Sequence, residues 1–423
     1  MNDHKTIWSM DRKKFIETVN HFTHPSDEIS NPDQLKGREK QLSELRDVFD
    51  TTGSHAIIWG LRGVGKTSLV HTACEKYSES VRLAAAVSCE RNSTFSDLMN
   101  DVFRRVVNDG KISVKSKDLK VKLAAFGFAI EGGLWPNKEK IEIQSVNSAC
   151  DLLNTIFQPD YEKGRIWVII IDEFDMLKNQ STFDSFTSLA KQISVDKLPV
   201  KFLFCGVAAN LKELMASHES SDRYLRAIEL PELPSNVIME IVEYIAINFF
   251  VKFNKGQIIR IAQIACGYPH FAHVIMREVL VVGFDSGTKP KEISDQIFKD
   301  GVQKAARSAA TRLLSAYEDA TKKGTDRYIE VLWSVAKGQL LEKQFKSVFA
   351  DYQEIMNFRT QREILTEQTF RNHLNSLSNS NHGSVINHRK PGWYSFSDPM
   401  FRSYVRMMAH NSDVDLGDES FSR

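Results

Sequence analysis

The sequence is poor in the features that mark special classes of protein. Its 423 residues include five cysteines, at positions 74, 89, 150, 205 and 266, and none forms a C-x-x-C pair. An odd number of isolated thiols fits reduced side chains rather than a disulfide framework, and Cys205 and Cys266 have the apolar surroundings of small core residues. The 12 histidines show neither H-x-x-x-H nor paired Cys/His spacing, which argues against a structural zinc site. Long apolar runs are missing too. The longest, such as Trp167 to Ile171, have strand length and fall far short of the ~20 residues that span a bilayer. Met1-Asn2-Asp3-His4-Lys5 lacks the apolar core of a secretion signal. A cytoplasmic protein with no membrane partner is the expectation.

An excess of charge of either sign is also absent. Lys and Arg number 55 against 54 Asp and Glu, a formal net charge of +1. This excludes a uniformly basic nucleic-acid coat and an acidic solvating chain, but it leaves room for a local basic patch. Neither an internal repeat nor a low-complexity tract occurs. With 42% hydrophobic and 26% charged residues the composition is globular, and the length suggests about three domains.

Along the chain, residues 1–35 read as an irregular arm, because Phe22-Thr23-His24-Pro25 and Asn31-Pro32-Asp33 are loop chemistry. Residues 36–233 alternate between helical periodicity and short apolar runs, the mark of parallel βαβ units. Strands are expected at 56–59, 83–88, 166–171, 201–205 and 227–230. Residues 110–143, with closely spaced lysines from Lys111 to Lys122 and glycines at 127, 132 and 133, read as an insertion. Residues 234–323 are helical throughout, with Val237, Ile238, Ile241, Val242 and Ile245 on one face. After a linker at Gly324-Thr325-Asp326, residues 324–410 mix helices with a late hairpin, and 411–423 read as a polar, frayed tail.

Two constellations carry chemistry. Gly60-Leu61-Arg62-Gly63-Val64-Gly65-Lys66-Thr67-Ser68 follows an apolar strand and opens a helix, and it matches the P-loop (Walker A) pattern. Glycines let backbone N–H groups turn toward phosphate oxygens, and the helix start adds its positive dipole end. Lys66 supplies a point charge for the β- and γ-phosphates, and Thr67 a hydroxyl for Mg²⁺. The second constellation is Ile166-Trp167-Val168-Ile169-Ile170-Ile171, which ends in Asp172-Glu173-Phe174-Asp175. A buried parallel strand delivers acids at its carboxyl end, where ligands bind in open α/β sheets (the Walker B arrangement). Asp172 is expected to hold Mg²⁺ through water and Glu173 to act as general base on the attacking water. Asp175 is expected either to cap the following helix or to contact a neighbouring subunit.

In this order, these residues resemble AAA+ ATPases of the origin-recognition-complex/Cdc6-like and STAND groups, over roughly residues 20–320. The resemblance implies an α/β P-loop core with a helical lid, ATP and Mg²⁺ as cofactors, and a homo-oligomer formed through the ATP site. Gly37-Arg38-Glu39 resembles the segment that contacts adenine, which makes Arg38 a candidate. Phe202 to Asn210 resembles the sensor-1 strand, with Asn210 as the residue that feels the γ-phosphate. Arg223 sits where these families place an arginine finger, with Arg226 as second choice. Gly267-Tyr268-Pro269-His270 resembles the lid segment that lies against adenine. A sensor-2 arginine is not evident there; His270 or His273 occupies the neighbourhood, which favours slow turnover. The C-terminal part resembles a winged helix. Residues 367–377 are its recognition-type helix, Val385 to Phe396 its wing, and Arg371, His373, Arg389 and Lys390 its basic residues. In one group that domain binds duplex DNA; in the other it packs on the ATPase and restrains it. The implied partners are therefore DNA or a separate effector protein.

Overall fold

Five short apolar runs, separated by helices, assemble into one parallel sheet. The structure, a computed structural model, describes residues 6–24, 28–108, 143, 145–161, 164–207, 223–321, 327–359, 362–388 and 390–417. The 110–143 insertion (apart from residue 143), the 324–326 linker, Asn210 and Arg389 lie outside the described residues. The chain divides into two units, Glu28–Pro231 and the combination of Met1–Asp27 with Glu232–Arg423.

In the first unit the strands are β1 (His55–Trp59), β2 (Val81–Ser88), β3 (Ile166–Asp172), β4 (Val200–Gly206) and β5 (Leu225–Glu229), in the order β2-β3-β4-β1-β5. Every neighbouring pair is parallel. Helices α2 (Glu39–Asp50), α3 (Lys66–Lys76), α4 (Phe95–Asn108), α5 (Val146–Tyr161) and α6 (Gln180–Val195) connect or flank the strands. All seven residues of β4 are buried, as expected of a strand covered on both faces. Phe174, Phe186, Phe202 and Phe204 pack in one aromatic cluster, with Phe174 and Phe204 centroids 4.6 Å apart. Phe174 lies just beyond Asp172 and Glu173, so this cluster anchors the backbone that presents the two acids.

The second unit begins with a helix. Residues 12–23 are not an irregular arm but helix α1 (Arg12–Thr23), capped by Asp11, whose carboxylate accepts from the N–H groups of Lys13 and Lys14. Phe15 and Val19 are buried at helical spacing, and the Phe15 ring stacks on Phe284 at 4.0 Å. The helix closes at His24, which adopts a left-handed backbone (φ 36°, ψ 56°) and whose N–H donates to the Asn20 carbonyl. Residues 28–35 cluster with the core unit instead.

Next come α7 (Ser235–Asn248), α8 (Lys255–Ala265), α9 (Pro269–Asp285), α10 (Asp295–Arg307) and α11 (Thr311–Thr321). Helices α9 and α10 cross closely at Gly301, where an added Cβ would lie 2.6 Å from Val279 Cα. Beyond them lie α12 (Arg327–Ala336), β6 (Glu342–Gln344), α13 (Phe345–Asn357), α14 (Glu367–Ser376), β7 (Ile386–Asn387), β8 (Trp393–Phe396) and α15 (Pro399–His410). The three strands form an antiparallel sheet in the order β6-β8-β7.

Helix α15 joins both halves of this unit. Buried Arg402 and Arg406 donate to the carbonyl oxygens of Ala336, the last residue of α12, and Gly338 just beyond it. Ser403 donates to Ala265 and Arg406 to Gln263 on α8. The expected division at 324 is therefore bridged by packing. Residues 411–417 are not frayed either. Val414 and Leu416 are buried, while Asp413 and Asp415 between them pair with Lys299 and Arg260. Alternation of two apolar and two acidic residues fixes a segment that reads as polar on average. Among the described residues no helix is long and apolar enough to cross a membrane.

Candidate nucleotide-binding site

The loop after β1 is built by backbone constraints. Gly63 and Gly65 have φ of 80° and 94°, a region costly for side-chain-bearing residues. Gly60 is required for a different reason: a Cβ there would collide with the carbonyl oxygen of Leu230 just past β5. The Gly60 N–H donates to Gly206 at the end of β4, 3.3 Å away. Arg38 is buried and its Nη2 donates to the Val64 carbonyl at 3.0 Å, so it braces the loop. Ser68 accepts from the Ile29 N–H at 3.1 Å, and Thr72, one turn on, donates to the Ile29 carbonyl at 2.9 Å. The Ser68 hydroxyl thus holds the entering chain against α3.

The loop and β3 meet at Thr67 and Asp172. The Thr67 hydroxyl donates to Asp172 Oδ2 at 2.6 Å, and Asp172 Oδ1 accepts from the Glu173 N–H at 2.7 Å. Lys66 Nζ donates to the carbonyls of Gly60 and Leu61 at 3.2 and 3.0 Å. Burial lowers its pKa, and Cys205, Asp172 and Asp175 oppose that shift. A lysine retained so close to two acids is suited to anionic oxygens. Glu173 adopts a left-handed backbone (φ 51°, ψ 34°), and its carboxylate lies 3.6 Å from the Arg62 guanidinium. An adjacent hydroxyl and carboxylate form the hard-oxygen pair that Mg²⁺ takes from a protein, leaving its other positions to phosphates and water. Among the described residues there is no cluster of three or more His, Cys, Asp or Glu side chains suited to a metal.

Asp175 does not cap the following helix. Its carboxylate accepts from the Val207 N–H at 2.9 Å, bridging the exits of β3 and β4, and Asn179 caps α6 instead. The D-E-x-D spacing signalled a role for this residue but not its partner. Arg223 is exposed in the turn before β5. Arg226 pairs with Asp47 of α2 at 3.2 Å, which gives the second-choice arginine a partner in its own unit.

In the other unit, Gly267 (φ 84°) packs against Glu232 and Leu233, and Tyr268 donates to Glu232 at 3.3 Å. Pro269 opens α9 and His270 follows, its pKa lowered by burial and then by Arg312. His273 is fully enclosed, with burial pushing its pKa down to about 3.

A parallel sheet with a phosphate loop after β1 and an acid pair after β3 defines a P-loop nucleotide-binding fold. Residues 34–202 match the AAA ATPase domain family, so the chain carries an AAA+ ATPase domain. Among solved structures, the Walker-type ATPase PABY2304 of Pyrococcus abyssi is similar with a TM-score of 0.52 at 13% identity, covering 90% of this chain and 99% of that one. The ORC2 protein of Aeropyrum pernix has a TM-score of 0.49 at 13% identity, over 93% and 98% of the two chains. No curated protein matches the sequence. At this identity the likeness to PABY2304 concerns the fold.

Proposed function

We propose that the protein is a Mg²⁺-dependent ATPase whose nucleotide state controls its self-assembly and its engagement of duplex DNA. The observation that carries this reading is the Thr67–Asp172 contact of 2.6 Å beside Lys66, the two halves of a Mg²⁺–triphosphate site. The backbone at 60–65, Lys66 and Ser68 at the start of α3, and Arg38 behind the loop form or support the phosphate cradle. Thr67 and Asp172 would hold Mg²⁺, which would supply charge neutralisation at the phosphate oxygens. Glu173 takes the proton of the water that attacks the γ-phosphorus, and ADP and phosphate leave. Pro269 and His270 belong to the adenine side, Asn210 to γ-phosphate sensing, and exposed Arg223 to the site of a neighbouring copy. A histidine rather than an arginine at 270 fits slow turnover.

The DNA part is supported by the order α12, β6, α13, α14, β7, β8, which resembles that of a winged helix. The exposed face of α14 carries Gln368, Asn372 and Asn375, side chains able to pair with base edges. A second reading, a STAND-like switch that restrains a separate effector protein, is favoured by the bonds from α15 to α8, since they tie the C-terminal elements to the helical lid.

Binding of fluorescent ATP with and without Mg²⁺ tests the reading. Lys66→Ala should weaken binding at least tenfold, and ATP but not ADP should raise light scattering in wild type and not in Arg223→Ala. Binding indifferent to Lys66 would sink the proposal, and scattering indifferent to nucleotide would sink its assembly arm.

A further inference from the structure

Arg62 is a loop residue between two of the P-loop glycines, yet its guanidinium pairs with the acid after β3. Nη2 lies 3.6 Å from Glu173 Oε1, with the two side chains 66% and 50% exposed. The same stretch of loop supplies the carbonyls of Gly60 and Leu61 that hold Lys66 Nζ. The groups that a triphosphate needs are thus engaged with one another: Lys66 with the loop that carries Arg62, and Arg62 with Glu173.

Two physical facts set the direction of exchange. A phosphate group carries more charge than a carboxylate and offers more acceptor oxygens, so a guanidinium beside both prefers the phosphate. An ion pair this exposed contributes little, so it yields readily to such a competitor. Glu173 is also the one residue of the acid segment held in a left-handed conformation.

We propose that Arg62 is a positioning residue that holds the Glu173 carboxylate until a triphosphate draws the guanidinium away, so that release of the general base is coupled to γ-phosphate binding. The proposal rests on the nucleotide reading above and adds a regulation of that site. It makes Glu173 and the γ-phosphate competitors for one cation, so removing the charge of Glu173 strengthens triphosphate binding only through Arg62.

A double-mutant cycle measures this. The affinities of the β,γ-imido analogue of ATP and of ADP are determined for wild type, Arg62→Ala, Glu173→Gln and the double variant, with Lys66→Ala as control. Glu173→Gln is expected to tighten the analogue about two- to fivefold when Arg62 is present, to leave ADP nearly unmoved, and to have no effect in the Arg62→Ala background. Equal tightening in both backgrounds would mean that Glu173 repels phosphate directly, and would overturn the proposal, as would no tightening at all. A null cycle with Lys66-dependent binding overturns only the role of Arg62. Absence of Lys66-dependent binding overturns the nucleotide reading and this proposal with it.

Discussion

His55, the first residue of β1, shows how single side chains set the behaviour of the core. Its Nδ1 accepts from the Phe202 N–H at 2.9 Å, so Nε2 bears the proton and donates to the Ala190 carbonyl at 3.1 Å. Burial, then nearby Lys201, pushes its pKa down to about 3. The unfolded imidazole titrates near 6.5, so below that pH the unfolded chain binds more protons than the folded one. The stabilisation is whole above about pH 6.5 and is lost as pH falls toward 3, at up to about 1.4 kcal/mol per pH unit. Urea midpoints should therefore drop between pH 7 and pH 5; unchanged midpoints would contradict the buried neutral ring. The phosphate-loop pattern was legible because it has a local cause at Gly63 and Gly65. The reason for Gly60 was not, because its neighbour Leu230 comes from another strand. Likewise Asp175 and Arg62 stood out as positions while their partners, Val207 and Glu173, are set only by the fold.

Elements with one dominant period were readable. The run Ile166–Ile171 became β3, and the face Val237–Ile245 became α7. The misread segments are those where a local signal outweighed a sparse apolar one. Prolines hid α1, and the acids of 411–417 hid Val414 and Leu416. Leu416 is 2% exposed, so Leu416→Ala should cost about 2–4 kcal/mol. Chemical denaturation would detect that loss, whereas a frayed tail would show none.

At the scale of the whole chain, near-neutral charge hides a division of labour. The core unit gathers the P-loop and the acid pair on one sheet, and the second unit combines helices α7 to α11 with the C-terminal elements through α15. Of three domains suggested by length, two are joined by Ser403 and Arg406, whose targets Ala265 and Gln263 lie 138 and 143 residues upstream. Such long-range carbonyl bonds leave no pattern in the sequence, whereas the parallel sheet does.

ATP hydrolysis at the meeting of loop and strand is read out by phosphate release. Wild type should release phosphate from ATP only with Mg²⁺. Glu173→Gln should lower that rate on the order of 10²-fold or more while still binding ATP, and Lys66→Ala should lose binding and turnover together. Equal phosphate release by wild type and Glu173→Gln would contradict the account and leave a protein that binds nucleotide without turning it over.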